Sequence, residues 1–338
     1  MCRTSYTCRV CVPSYLQLIA YAMTIEYDWV CIVQALIIDP GFVLFETTSP
    51  VLRGALILSN ISYSQNGEDM LINRYFGDRI GSFLDIGAYH PVIENNTYFF
   101  YQKGWRGANI EPVPQLHQAF QQARPEDRNV QVAILDTPGV VTFYSVLHEP
   151  IREAQHNAPI ALNLTSSMWD RLNVSGLSTF DAELAVRHRL AGYTVQELAV
   201  CAITTPQLID EYGVSAPDFV SLDVEGFEDT VIRNFPFDRW RPELFVIEST
   251  APNSTTPTHA AWEPILFEHG YLFATFNGVN RFYLRGDKAE HIEIFALPVS
   301  AQDNYRRAEV VDLERRLKLL EARLARIQAI CVEEEEHS

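Results

Sequence analysis

Two short acid-bearing stretches carry the chemistry of this sequence. The first is Phe83-Leu84-Asp85-Ile86-Gly87-Ala88-Tyr89-His90. An apolar run delivers a carboxylate there, and a glycine follows where a ligand must approach the backbone closely. The carboxylate can pair with an ammonium or hold water against it. Roughly twenty residues further on, Glu111 ends the next apolar segment, where a carboxylate accepts hydrogen bonds from vicinal ribose hydroxyls. Strand, glycine turn, helix, strand, acid is a nucleoside-binding layout. The second stretch runs from Asp218 to Glu228 and sets Asp223 and Glu225 at the end of an apolar strand, with Gly226 opening a helix. These acids could orient the methionyl end of a methyl donor, hold a cation, or act as base. The alternative for Glu225 and Glu228 is favourable placement at a helix N-terminus.

A dehydrogenase is the competing reading of the first stretch. It would normally carry G-x-G-x-x-G to cradle a pyrophosphate. This loop has one glycine, followed by Tyr89, His90 and Pro91. S-adenosylmethionine has no phosphate and does not need that cradle, so the spacing favours the methyl donor.

The elements that must position these residues alternate from Ser62 onward. Helices are expected at 62–76 (with Ser64 as cap), 95–103, 114–123, 205–212, 227–234 and 259–269. Strands are expected at 82–86, 108–110, 130–135, 140–145, 219–222, 244–247, 271–275, 281–284 and 292–295. Repeated strand–helix units imply an α/β fold with a mostly parallel sheet covered by helices on both faces, and ligands bind beyond the carboxyl ends of its strands. Residues 146–200 are less regular and read as an insertion or cap over the site. His148, His156, Trp169 and His188 within it could line an acceptor pocket.

Beyond residue 298 the pattern changes. Val310, Leu313, Leu317, Leu320, Leu324, Ile327 and Cys331 are spaced 3, 4, 3, 4, 3, 4. That is the a/d seam of a coiled coil within a heptad helix at 303–332, a possible route to a homo-oligomer through residues 310–331. In a parallel pair Arg316 (g) would face Glu321 (e) of the partner subunit. The alternative is one amphipathic helix packed on its own domain. The acidic run within 333–338 reads as a solvated tail.

The 338 residues are 47% hydrophobic and 12% aromatic, enough for a substantial core. A net charge of −17 repels phosphate backbones and argues against nucleic acid as partner. Four of the six cysteines fall in the first 31 residues, which is not a disulfide framework and points to a reducing, cytoplasmic setting. Cys8 and Cys11 form one CxxC pair without the second pair that structural zinc needs. Residues 1–60 read as a variable leader, in which polar interruptions leave no membrane span.

Several stretches together resemble the FkbM family of methyltransferases. They are Ser62-Tyr63-Ser64-Gln65-Asn66-Gly67-Glu68-Asp69, the Asp85–His90 loop, Asn96-Thr97-Tyr98-Phe99-Phe100, Lys103-Gly104-Trp105-Arg106-Gly107 running into Glu111-Pro112, Asp223-Val224-Glu225-Gly226, and Asn277-Gly278-Val279-Asn280-Arg281-Phe282-Tyr283. They are spread over about 61–285 in family order. The resemblance implies a class I methyltransferase, Rossmann-like domain at 61–298, S-adenosylmethionine as donor, and O-methylation of a sugar, glycan or polyketide hydroxyl. It places Asp85, Gly87, Ala88, Glu111 and Pro112 at the donor. It also implies donor contacts from Gln65, Glu68, Asn96, Asp223 and Glu225.

Methyl transfer to oxygen needs a base or an acidified hydroxyl. His90 titrates in the useful range and follows the donor loop, and Asp223 is the second base candidate. The alternative for His90 is a ring satisfied by packing or by backbone. A divalent ion on Asp223 with Glu225 or Glu248 could instead lower the hydroxyl pKa, although a required metal is not expected. Asn280 and Arg281 could hydrogen-bond sugar hydroxyls, or form a capped turn and a surface ion pair. The non-enzymatic alternative is a methyltransferase-fold binding or assembly module that works through its coiled coil.

Overall fold

The computed structural model describes residues 59–147, 177–251 and 254–336. The leader up to residue 58, the Cys8–Cys11 pair, His148, His156 and Trp169 lie outside the described residues. Among those described, no helix is long and apolar enough to cross a membrane.

In chain order the strands are β1 (Asn60–Ser62), β2 (Ser82–Ile86), β3 (Arg106–Ile110), β4 (Arg128–Val130), β5 (Ala133–Ile134), β6 (Gly139–Leu147), β7 (Thr194–Ile203), β8 (Phe219–Leu222), β9 (Leu244–Glu248), β10 (Tyr271–Phe276), β11 (Asn280–Arg285) and β12 (Tyr305–Arg307). The helices are α1 (Glu68–Phe76), α2 (Tyr98–Gln102), α3 (Pro114–Ala123), α4 (Ala182–Leu190), α5 (Thr205–Asp210), α6 (Glu228–Arg233), α7 (Glu263–Glu268) and α8 (Ala308–Glu336).

A seven-stranded sheet in the order β10-β11-β9-β8-β2-β3-β4 forms the centre. The five strands from β9 to β4 run parallel, and β11 is antiparallel to both of its neighbours. Side chains alternate between the two faces, as a strand's period of two requires. Leu84, Ile86, Val220, Leu222, Phe245 and Ile247 enter one apolar cluster together with α5, α6 and α7 residues such as Leu208, Ile232 and Leu266. Phe83, Phe219, Leu244 and Val246 enter the other, under α1 and α2. Helices therefore cover both faces.

The expected strand at 130–135 is divided. Val130 ends β4 on the edge of the main sheet, whereas Ala133 and Ile134 join a separate three-stranded sheet, β5-β7-β6. Within the segment expected to be irregular, β7 pairs antiparallel with β6 from Gly139↔Ala202 to Leu147↔Thr194. The expected strand at 292–295 is instead part of 3-10 turns at Gly286–Phe295. They press Phe295, Ile292 and Ile294 onto the second core cluster. A short apolar run fits any element that buries it, so periodicity did not separate the two.

The first expected helix starts later than Ser62. Residues 60–62 form β1, and α1 opens at Glu68 after Gly67. Gly67 occupies the N-cap position, and Ser64, outside it, accepts from the Asp69 amide at 3.3 Å. The Asp69 carboxylate, buried in the first turn of α1, accepts from Ser62 Oγ, Ser64 Oγ and the Tyr63 amide, each at 2.7 Å. Likewise α2 begins at Tyr98 because the Asn95 side chain accepts from the amides of Thr97 (3.0 Å) and Tyr98 (2.8 Å).

Beyond residue 298 the chain remains tied to the domain. β12 pairs parallel with β1, and Arg74 holds Asp303 at 2.8 Å. α8 continues through Glu336, so the acidic run expected as a separate tail is helical at least that far.

Candidate functional site

The strand order reverses at β2. From it the chain builds outward through β3 and β4, then returns to add β8 and β9 on the other side. Loops leaving the carboxyl ends of β2 and β8 diverge, and the crevice between them is where such sheets bind ligands. A cavity of about 180 Å³ lies there, lined by the Asp85–Tyr89 loop, the Asp223–Glu225 loop and the end of β3 at Glu111. The two loops touch. A Cβ on Gly87 (φ 77°) would lie 1.6 Å from the Asp223 carbonyl oxygen, so only glycine fits that position.

The first acidic centre is rigidly held. Asp85 Oδ2 accepts from Thr97 Oγ1 at 2.8 Å and from Asn95 Nδ2 at 3.2 Å. Behind them sits Arg124, fully buried. Its Nη1 donates to Asn95 Oδ1 (3.1 Å) and Thr97 Oγ1 (3.0 Å), and its Nε donates to Asp127 Oδ2 (2.8 Å). The guanidinium lies against the Phe83 and Phe120 rings. Burial pushes the Asp85 carboxyl up to about 6, against the pull of the Arg124 charge. Glu111 accepts from the Tyr89 amide at 3.0 Å and from the Val113 amide at 2.8 Å, and burial lifts it to about 8. Each oxygen keeps a lone pair for a ligand donor.

Arg124 was not singled out from sequence, because a lone arginine after a helix carries no motif. Its replacement by methionine strands the Asp127 carboxylate, which has no exposed surface. Arg124→Met is expected to cost about 3–5 kcal/mol in urea denaturation, and loss of the cation should raise the Asp85 pKa further.

The second centre groups Asp223, Glu225 and Glu248, with one carboxylate oxygen from each lying within 4.8 Å of the others. Asp223 is open to the cavity yet walled by protein on its other sides. Burial and the adjacent Asp223 charge push Glu248 far above the carboxylate range, so it keeps its proton and donates it to Asp223. Burial raises Asp223 as well, which makes it a stronger base than a solvated aspartate. Glu225 is raised by burial and by the charges of Asp223 and Glu228. Glu228 braces the loop from below, with Oε1 accepting from the Val224 (3.1 Å) and Gly226 (3.2 Å) amides.

Three of the four non-glycine residues with positive φ among those described, Tyr89, Glu94 and Glu225, line this one cavity. Backbone strain of this kind persists where the surrounding structure enforces it, and it clusters at functional sites. Six carboxylates line the cavity (Asp85, Glu94, Glu111, Asp223, Glu225 and Glu248), and no Lys, Arg or His among the described residues joins them.

Of the residues expected at the site, Gln65, Asp85, Gly87, Ala88, Asn96, Glu111, Pro112, Asp223, Glu225 and Asn280 line the cavity together. Glu68, His90 and Arg281 do not. Glu68 is buried. Its Oε1 accepts from Asn277 Nδ2 (2.7 Å) and Asn280 Nδ2 (2.8 Å), locking the start of α1 to the β10–β11 turn. His90 is buried, and its Nδ1 accepts from the Val92 (3.1 Å) and Ile93 (2.9 Å) amides, so that lone pair is committed to the turn. Arg281 pairs with Glu263 at 3.0 Å and covers the Phe273 ring. His188 packs edge-on against Tyr193, away from the cavity. Phe143, Ser178 and Phe180 join the lining unannounced by any motif, because the small sheet carries them there.

The profile of the methyltransferase FkbM domain matches residues 85–273, over half of the chain and spanning both acidic centres. Comparison with curated proteins gives no match. Among solved structures, the chain is similar to the precorrin-6y C5,15-methyltransferase of Geobacter metallireducens GS-15. The identity is 12%, over 64% of this chain and 86% of that one, with a TM-score of 0.30. The domain match over residues 85–273 is what assigns the family. With its motifs gathered around one crevice at the reversal of the sheet, this chain belongs to the FkbM methyltransferase domain family.

Proposed function

We propose that this protein is a class I, S-adenosylmethionine-dependent O-methyltransferase acting on a hydroxyl of a sugar or glycan. The observation that carries the reading is the acidic lining of the cavity, six carboxyl groups (Glu248 keeping its proton and Glu111 raised to about 8) and no basic side chain among the described residues. Such a site favours a cationic ligand and repels the phosphates of a dinucleotide. S-adenosylmethionine, when bound, supplies an activated methyl group on a positively charged sulfonium. The residues present suit it. In this reading Glu111 accepts from the ribose hydroxyls, and Ile110, Leu116, Val132 and Ile134, which line the cavity, form an apolar slot for the base. Asp85 and the Asp223 cluster offer negative charge for the ammonium and sulfonium.

In this reading Asp223 holds the acceptor hydroxyl and takes its proton as the oxygen–carbon bond forms. The proton on Glu248 orients the Asp223 carboxylate and keeps its second oxygen occupied. The sugar-type acceptor rests on the family resemblance. Gln65, Asn96, Ser178 and Asn280 line the cavity and supply the neutral polar groups that hydroxyl recognition needs. The remaining polar partners of Asn280 and Asn96 already fix their orientation: Asn280 Nδ2 is held by Glu68 and Asn96 Nδ2 by Ser221 Oγ at 3.1 Å.

Calorimetric titration with S-adenosylmethionine tests the proposal. Micromolar binding is expected for the wild type, and loss of it for Asp85→Ala combined with Glu111→Ala. A folded wild type that binds no donor would overturn the proposal and leave the assembly-module reading. Binding should also depend on pH. Glu111 (about 8) and Asp85 (about 6) hold protons in the empty site at low pH, and a cationic ligand favours their ionised forms. Affinity is therefore expected to rise from pH 6 to 8, by up to about tenfold per unit for each proton released. Titrations in buffers of different ionisation enthalpy would count those protons, and a pH-independent affinity would separate the two acids from the ligand's charge.

A further inference from the structure

We propose that α8 joins a second copy of this chain in a parallel coiled coil, independently of what the catalytic domain binds. Ala308, at the start of α8, is buried against the domain. After it the heptad seam leaves the domain. Val310 is 45% exposed, and Leu313, Leu317, Leu320, Leu324 and Ile327 lie between 51% and 64%. An amphipathic helix packed on its own domain would bury this stripe, and this one does not. From Val310 to Ile327 the stripe runs roughly 26 Å along one helix face. Contiguous apolar surface of this kind marks an interaction site.

The flanking charges choose the occupant and its direction. With Val310 at a and Leu313 at d, the g positions are Glu309, Arg316 and Arg323, and the e positions are Glu314, Glu321 and Gln328. In a parallel pair Arg316 meets the partner's Glu321, and Arg323 meets the partner's Gln328. The one like-charged pairing is Glu309 with the partner's Glu314. Both glutamates are already neutralised within their own chain, Glu309 by Arg307 at 3.2 Å and Glu314 by Arg306 at 2.5 Å. Those arginines are presented by β12, which is hydrogen-bonded to β1 of the core domain. An antiparallel pair overlapping the same seam would set Arg316 against the partner's Arg323 and Glu314 against the partner's Glu321. Arg316 also reaches Asp312 one turn back in its own helix at 2.5 Å, which holds the guanidinium beside the seam.

Sedimentation equilibrium on the full chain tests this. The wild type is expected to show a multiple of the monomer mass. Leu317→Glu with Leu324→Glu, both at exposed seam positions, should sediment as a monomer with unchanged circular dichroism from the α/β domain. Arg316→Glu should weaken association roughly tenfold, and adding Glu321→Arg should restore it. A monomeric wild type, or an unchanged mass in the double glutamate variant, would overturn the proposal. Tighter association of Arg316→Glu would overturn the parallel direction, because that variant attracts the partner's Arg323 in an antiparallel pair.

Discussion

Asp223→Asn is expected to lower methyl transfer by about 10²- to 10⁴-fold, the usual contribution of a positioned base. The substitution is nearly isosteric. The asparagine Oδ1 can still accept the proton that Glu248 offers to Asp223, and the backbone of residue 223 still packs against Gly87. What is lost is the group able to take the acceptor's proton. Turnover should therefore fall by a larger factor than the KM for the donor rises, because Asp85, Glu111 and Glu225 remain to hold the donor. Stability should move the other way. A carboxylate whose folded pKa is raised above its unfolded value loses stability as pH rises through the folded value, so the ionised form of Asp223 counts against the empty fold above that pH. Its neutral replacement should melt at the same temperature or higher, the pattern of a residue kept for activity. Near-normal turnover in this variant would remove Asp223 as the base.

The second large effect belongs to Gly87. Gly87→Ala is expected to destabilise the protein by on the order of 4 kcal/mol or to prevent folding, with donor binding lost in any folded fraction. Two costs combine at this position. The φ of 77° is disfavoured for any residue with a Cβ, and the new carbon would lie 1.6 Å from the backbone oxygen of Asp223, which belongs to a strand end and cannot swing aside. Gly104 separates the two contributions. It has φ 93° and nothing within 4 Å of an added Cβ. Gly104→Ala should cost only the conformational part, about 1–2 kcal/mol, by chemical denaturation. Equal losses at the two sites would show that the contact between the β2 and β8 loops does not hold the crevice together.

The elements whose boundaries agree with their sequence are those governed by local forces. β2 and β8 are short buried runs that end in a polar loop, and α3 opens with Pro114 at its first turn. The cavity residues Asp85, Gly87 and Glu111 were legible for the same reason, since each lies at or just past the end of such a strand and the sheet must gather strand ends at one edge. The long strand β7 was not legible. Its partner β6 lies some fifty residues earlier in the chain, and much of its length is exposed, so no clean alternation marks it.

Sequence by itself thus determined that a carboxylate and a glycine would meet at the end of a buried strand, because propensity and burial act over a few neighbouring residues. Tertiary structure decided what each polar side chain does once there. His90 turns inward to accept two amides of its own loop, Glu68 binds asparagines more than two hundred residues away, and Arg281 pairs with Glu263. Arg124, silent in the sequence, becomes the buried cation behind Asp85. Those outcomes depend on which partners the fold brings within about 3 Å, and a hydrogen bond or ion pair is decided at that distance rather than by position along the chain.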